Sequence, residues 1–195
     1  VIIHRPDGKR LTFTRNQDGT FTAPKGTHAV LTQSGSSYTL TEKNGDKYIF
    51  TNGSLVSITD RNDNKVTINY DASGRVSSVS DQSGRSLTFS YGTNNKISAI
   101  TDPASNAYTY GYDTSNNLVS VTDPAGNTYG YSYDGSHRMT GITDPKGITY
   151  LTNTYDSSDR VTQQGYNGGN FTFSYNTSSK YTTVKNRRGY STTYY

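Results

Sequence analysis

Five aspartates, Asp60, Asp81, Asp102, Asp123 and Asp144, recur every 21 residues, and this carboxylate array is the first feature of the chain that could do chemistry. Acid–base catalysis needs two carboxyls in different environments, one held protonated and the other ionised. Copies in equivalent contexts supply no such pair, so the row reads as turn residues. The three histidines, His4, His28 and His137, have no Cys or Glu partner at metal-ligand spacing and read as surface positions. The absence of cysteine removes thiolate metal sites and any disulfide framework. Asp60, Asn62 and Asn64 begin like a calcium loop, yet the glycine and closing glutamate of such a loop are missing, which leaves a polar β-turn. No catalytic, cofactor-binding or metal-ligating residue is assigned. The chain is expected to be no enzyme and to carry no cofactor.

The aromatic residues have a second kind of chemistry to offer. There are 18 Tyr and 6 Phe, and they alternate with small polar residues. Tyr129, Tyr131 and Tyr133 are separated by Gly130 and Ser132, a period of two that places three rings on one face of a strand. Leu87, Phe89 and Tyr91 follow the same rule, as do Tyr108, Tyr110 and Tyr112, Val66, Ile68 and Tyr70, and Phe171, Phe173 and Tyr175. This shared face is the expected core side. Rings can also stack on sugars, and Tyr38, Tyr181 and Tyr194, which fall outside the period, are candidates for ligand contact.

The elements that position these residues follow from the repeat. Tyr70-Asp71, Tyr91-Gly92, Tyr112-Asp113 and Tyr133-Asp134 lie 21 residues apart, and the series continues through Tyr155-Asp156 and Tyr175-Asn176 to Tyr195 with one-residue shifts. An apolar row, Leu55, Val76, Ile97, Leu118 and Met139, is shadowed three residues later by Ile58, Val79, Ile100, Val121 and Ile142. A spacing of three inside a strand predicts a bulge or strong twist. One unit therefore reads as a strand over Leu118 to Thr122, a tight turn at Asp123-Pro124-Ala125-Gly126, a Tyr-rich strand, and a second reversal at Asp134-Gly135-Ser136. Gly84, Gly126 and Gly147 close turns where a positive φ is expected. The structural repeat positions are thus Tyr70, Asp71, Tyr91, Tyr112, Asp113, Tyr133, Asp134, Tyr155, Asp156 and Tyr175, with Asp81, Asp102, Asp123, Asp144 and the three glycines.

Residues 51–195 carry repeats of about 21 residues, and 1–50 form an irregular β-hairpin segment leading into them. No helical periodicity is present. Only 30% of residues are hydrophobic, so a fold built from them depends on large aromatic side chains in register. The net charge of +4 is scattered singly, without the basic stripe of a nucleic-acid module, and Arg187 and Arg188 read as a solvent-exposed turn. No apolar run reaches membrane-spanning length. Val1 opens inside a strand, so the chain reads as a piece of a longer one. Roughly nine hairpins give about 18 strands and a ribbon of about 85 Å. Accumulated twist should coil that ribbon into a spiral.

The Tyr-Asp step, the "YDASGRVSSVSD" and "YDTSNNLVSVTD" segments and the Asp-Pro-x-Gly turn resemble the YD repeats of the Rhs and teneurin family. The resemblance covers at least Tyr48 to Tyr195, and "RPDGKRLTF" and "LTEKNGDKYIF" look like the region that precedes such repeats in bacterial members. It implies an all-β fold of tandem antiparallel β-hairpins coiling into a twisted sheet or β-spiral, part of a hollow Rhs-like shell. Bacterial members commonly enclose a variable C-terminal toxin domain. The segment associated with self-cleavage at the end of a complete Rhs core has no counterpart here, so no autoproteolytic residue is carried over. The expected function is a structural repeat scaffold in a secreted or bacterial cell-surface protein, with the rest of the parent chain and a toxin cargo as partners. The alternatives are a carbohydrate- or cell-surface-binding adhesion module and a filament subunit self-associating edge to edge. Nucleic-acid binding and membrane insertion are not expected.

Overall fold

The computed structural model describes residues 1–5 and 7–195; Pro6, in the "RPDG" segment, lies outside the described residues. Among the described residues there are 21 strands and no helix. Thr, Val, Ile and Tyr favour a pleated surface, and their period of two leaves no helical face to bury. The chain divides into two compact units, Val1–Phe89 with Thr101–Ser105, and Ser90–Ile100 with Asn106–Tyr195.

The first unit opens with two short hairpins. β1 (Ile2–His4) pairs with β2 (Arg10–Thr12), and β3 (Thr14–Arg15) with β4 (Phe21–Thr22). There follow β5 (Val30–Ser34), β6 (Ser37–Thr41), β7 (Lys47–Thr51), β8 (Ser54–Thr59), β9 (Lys65–Tyr70), β10 (Val76–Asp81) and the start of β11 (Ser86–Tyr91), and from β6 on each pairs antiparallel with the one before. Ile3 and Leu11 from the first hairpin join Phe13, Ala29, Leu31 and Leu40 in one buried core, with Tyr38, Tyr48 and Phe50 packed around it. The Val1 ammonium donates to the Phe13 carbonyl at 2.9 Å, and the Arg5 guanidinium meets the Glu42 carboxylate at 2.6 Å. The segment that reads as irregular is therefore the one with a covered core.

In the second unit, after β12 (Ile97–Thr101), β13 (Ala107–Tyr112), β14 (Leu118–Thr122), β15 (Thr128–Tyr133), β16 (Met139–Thr143), β17 (Thr149–Tyr155), β18 (Val161–Tyr166), β19 (Gly169–Asn176), β20 (Tyr181–Lys185) and β21 (Ser191–Tyr194) follow in order. From β13 to β21 each strand pairs antiparallel with the next. The register separates two faces. Tyr110 pairs with Val121, Tyr131 with Ile142 and Phe173 with Val184 on one; Thr109 with Thr122, Gly130 with Thr143 and Ser174 with Thr183 on the other. The register slips between Val76 and Ser78, and it slips again where Tyr112, Tyr133 and Tyr155 meet Leu118, Met139 and Val161. These are the bulges that the three-residue apolar spacing predicts.

Burial on the aromatic face differs from a conventional core. Among the described residues of this unit only Gly141 and Asn153 are buried, and every ring keeps some exposure. Tyr131 and Tyr133 are half-buried, whereas Tyr129 and Tyr108 are exposed. The rings are covered by neighbours along the sheet, which shields those in mid-strand and those that end a strand at a Tyr-Asp turn, and leaves Tyr108 and Tyr129, beside the Asp102 and Asp123 turns, open to water.

Candidate functional site

Most reversals from Asp60 onward are built on one frame; the β18–β19 turn, with Asn167 and Gly168 both left-handed, and the β19–β20 loop are exceptions. At Asp71 the Gly74 amide donates to the Asp71 carbonyl at 3.0 Å, and the Asp71 amide donates to the Arg75 carbonyl at 2.8 Å. This is a three-residue hairpin loop, a turn followed by a left-handed residue. The Asp71 carboxylate closes it from the side: Oδ1 accepts from the Ser73 and Arg75 amides at 2.9 Å each, and Oδ2 from Arg75 Nε at 2.8 Å. Arg85, Arg138 and Arg160 bind Asp81, Asp134 and Asp156 in the same way. Asn64, Asn117 and Asn127 replace arginine on Asp60, Asp113 and Asp123. Asp144 holds the Lys146 and Ile148 amides, and Asp102 the Ala104 amide. Gly92 takes the place of the aspartate in one reversal, which keeps the backbone bonds and has Asn94 Oδ1 accepting from the Lys96 amide at 3.1 Å.

The left-handed position falls on Gly74, Gly84, Gly126 and Gly147, but also on Asn95, Ser105, Asn116, His137 and Asp159. Glycine meets this φ without a Cβ penalty, and Asn and Asp tolerate it. In the Asp134 reversal the left-handed residue is His137 at φ 62°, one step beyond the Asp134-Gly135-Ser136 stretch read as the reversal.

These bonds fix the charge state of the caps. The Arg75 amide and then its side chain hold the Asp71 carboxyl below the usual range. The side chains of Arg85, Asn117, Asn127 and Arg160, with turn amides, do the same for Asp81, Asp113, Asp123 and Asp156. At Asp134 desolvation pushes upward, and the Arg138 side chain with the turn amides outweighs it. A depressed folded-state pKa stabilises fully above the unfolded value, and that contribution is lost as pH falls through the folded one. The melting temperature is therefore expected to be unaffected by these caps down to about pH 5 and to drop below about pH 4, near the unfolded aspartate value. Melts followed by circular dichroism from neutral to acid pH check this; a flat profile would refute it.

The Tyr-Asp tyrosines join each hairpin to the one before. The phenol of Tyr70 donates to the Leu55 carbonyl at 2.8 Å, Tyr112 to Ile97 at 3.1 Å, Tyr155 to Met139 at 2.6 Å and Tyr175 to Val161 at 2.7 Å. With a hairpin counted as the two strands around a Tyr-Asp turn, each acceptor is the first or second residue of the last strand of the preceding hairpin. A cap arginine then covers the next ring. Arg138 lies 4.9 Å from the Tyr155 centroid and Arg160 4.4 Å from that of Tyr175. Arg138 also reaches the Asp156 carbonyl at 3.0 Å and Asp159 Oδ1 at 2.8 Å, so one guanidinium holds two successive turns. His137 Nδ1 and Asn117 Oδ1, 2.8 Å apart, link the preceding pair. Burial, followed by Tyr131 and Asp113, raises the Tyr133 phenol above its ordinary pKa. Tyr91 ends β11, half-buried.

One pair interrupts the aromatic face. Where Tyr131 faces Ile142, the next hairpin has Asn153 facing Gln164. Asn153 is 8% exposed; its Nδ2 donates to the Met139 carbonyl at 3.3 Å and its Oδ1 accepts from Gln164 Nε2 at 3.0 Å. Removing either partner leaves a covered amide short of a bond, a cost of about 1–3 kcal/mol. Asn153→Phe and Gln164→Val are each expected to destabilise, while the double variant recreates the Phe173–Val184 pairing and recovers the loss. A double-mutant cycle in urea measures this; additive losses would contradict it.

The remaining candidates form no second site. His4, His28 and His137 are exposed. Asp60 Oδ1 accepts from the Asn62 and Asn64 amides, so its carboxylate serves its own turn. Tyr38 meets Phe21 edge to face at 6.0 Å, Tyr181 lies 5.9 Å from Tyr195, and Tyr194 is exposed. Among the described residues no three His, Asp or Glu side chains group as metal ligands. The arginines at the fifth turn position are the functional residues not singled out by chemistry in the sequence. Their signal was the recurrent Arg or Asn after the turn glycine.

The family model described as RHS Repeat matches residues 70–107, 93–128 and 112–149. No curated protein matches the sequence. Among solved structures, that of TcdB2-TccC3-Cdc42 is similar over 99% of this chain at 11% identity with a TM-score of 0.57. That of TcdB2-TccC3 is similar over 80% at 13% identity, with a TM-score of 0.55. The chain spans 15% and 11% of those chains. At such identity the likeness is one of fold, an all-β array of hairpins consistent with an Rhs-like β-spiral. The matched repeats, the capped turns and that fold agree, and residues 70–149 of the chain are a run of RHS repeats.

Proposed function

We propose that this chain is a length of shell wall in a secreted or surface-displayed bacterial RHS-repeat protein, and that the wall encloses or presents a toxin or effector domain of the same parent. The observation that carries this reading is the column of equivalent joints, in which a tyrosine hydroxyl, a cap aspartate and a cap arginine tie one hairpin to the next. The cap aspartates are engaged in closing their own turns, which suits a wall. The solved structures similar in fold to this chain are of TcdB2-TccC3, of which it spans 15% and 11%, as a length of wall in a larger protein would.

Limited proteolysis of the full-length parent tests enclosure. The effector domain should resist cleavage in the wild type and be cut once Tyr155→Ala and Tyr175→Ala open the column; equal cleavage in both would sink the reading. Fractionation of the producing bacterium tests placement, and a protein confined to the cytosol would refute export.

A second reading, a glycan-binding adhesin, draws on Tyr108 and Tyr129, exposed rings beside successive turns of the aromatic face. A glycan array without saturable binding removes it.

A further inference from the structure

The turn array contains its own control for charge. At Asp134 and Asp156 the turn's arginine is folded back onto the cap carboxylate. The β20–β21 reversal keeps the frame and changes the charge. Asn186 Oδ1 accepts from the Arg188 and Tyr190 amides at 2.9 and 3.1 Å, the Gly189 amide donates to the Asn186 carbonyl at 2.9 Å, and Gly189 is left-handed at φ 86°. The cap is now neutral. Two guanidiniums, Arg187 and Arg188, occupy the outermost positions. The fifth position, an Arg or Asn whose side chain bonds the cap at Asp60, Asp71, Asp81, Asp113, Asp123, Asp134 and Asp156, is here Tyr190, 71% exposed.

The neighbouring tip completes the surface. The Arg187 stem lies against Gly169, where a Cβ would come within 2.8 Å of it. That seats the arginine beside the β18–β19 turn, whose Tyr166 is 41% exposed and held edge-on by Tyr150 at 6.1 Å. Lys185 is exposed at the base of the same hairpin. From Val161 to Tyr195 there are four cationic side chains and no acidic one, and no carboxylate partner occurs for Lys185, Arg187 or Arg188 among the described residues.

Adjacent tips lie about 10 Å apart, two strand widths. They project rings and guanidiniums instead of lining a groove. Single-stranded nucleic acid is bound by grooves that track its backbone. Projecting phenols beside arginines fit the headgroup layer of a bilayer, where tyrosine partitions to the interface and guanidinium pairs with phosphate. We propose that the β18–β19 and β20–β21 tips dock peripherally on an anionic phospholipid surface. This contact is independent of the shell role and involves no insertion of strands.

The test is co-sedimentation of the chain with vesicles of phosphatidylcholine alone and of phosphatidylcholine mixed with phosphatidylserine. Binding is expected only to the mixed vesicles, weakening as salt rises. The R187Q/R188Q double variant should bind about 10- to 30-fold more weakly, since each cation near such a surface contributes. Tyr190→Ala should weaken binding at unchanged salt dependence, and Arg85→Gln, a cation on another turn, should leave it unchanged. Circular dichroism confirms that the variants fold. Absence of vesicle binding by the wild type, or binding that survives R187Q/R188Q, would overturn the proposal. So would tighter, arginine-dependent binding to oligothymidylate or polyglutamate than to the mixed vesicles.

Discussion

Tyr155→Ala is expected to lower the stability of the β16–β18 region by about 3 kcal/mol, towards the lower end of losses for truncating a large ring because the ring is only half-buried. The substitution removes three things together: the 2.6 Å bond to the Met139 carbonyl, the surface beneath Arg138, and the ring's cover over the joint. Tyr155→Phe keeps the last two. It should cost about 1 kcal/mol, the net worth of one hydrogen bond, and the Met139 carbonyl still accepts from Asn153. Hydrogen exchange is the suitable measurement, because neighbour-coupled repeats need not unfold as one unit. Protection should fall in β16, β17 and β18 and persist in β13. A loss spread evenly over the second unit, or equal losses for Ala and Phe, would show that the ring is not a joint.

The second large effect is expected at Gly141, whose φ is unexceptional and whose need for glycine is spatial. It is buried opposite Ser132, and a Cβ there would meet Ser132 Oγ at 2.7 Å, the Leu151 carbonyl oxygen at 3.4 Å and Thr149 Cγ2 at 3.6 Å. Alanine can be accommodated if the serine rotates, which gives up its 3.0 Å bond from Thr140 and costs about 1 kcal/mol. Valine adds two methyl groups against backbone on the other side, and about 3 kcal/mol is expected from overpacking. Ser132→Ala should relieve most of the penalty for Gly141→Ala and little of that for Gly141→Val. Urea titrations of the four variants decide it, and a Gly141→Val protein as stable as wild type would contradict the stated clash.

Much of this was legible because the repeat states each feature many times. The three-residue gap between Leu118 and Val121 announced a bulge, and the slip in pairing at Tyr112 and Leu118 is that bulge. The Asp-Pro-x-Gly turn announced its left-handed glycine, found at Gly126. Other features left weaker traces. His137 takes the left-handed position in place of a glycine because the frame fixes the fourth residue, whatever its type. The stacking of Arg138 on Tyr155 joins residues 17 apart on different hairpins, and the local sequence around either contains no trace of the other. The covered core was the least legible. Its members Ile3 and Leu11 sit in three-residue strands and Leu31 and Leu40 in β5 and β6, outside the repeat consensus, and only the meeting of the first hairpin with β5 and β6 makes them interior.

The reach of the Tyr-Asp tyrosine sets an order of assembly. Tyr70, Tyr112, Tyr155 and Tyr175 each bond a carbonyl 14 to 16 residues earlier in the chain. Contacts that short close quickly and incur little loop entropy. A nascent chain can therefore finish one hairpin and fasten it to its predecessor before the following one has been synthesised. The nucleus travels from the amino-terminal side towards the carboxyl end, as a zip closes. The edge still being extended is then exposed only at the growing tip, which limits the time it has for mispairing between chains.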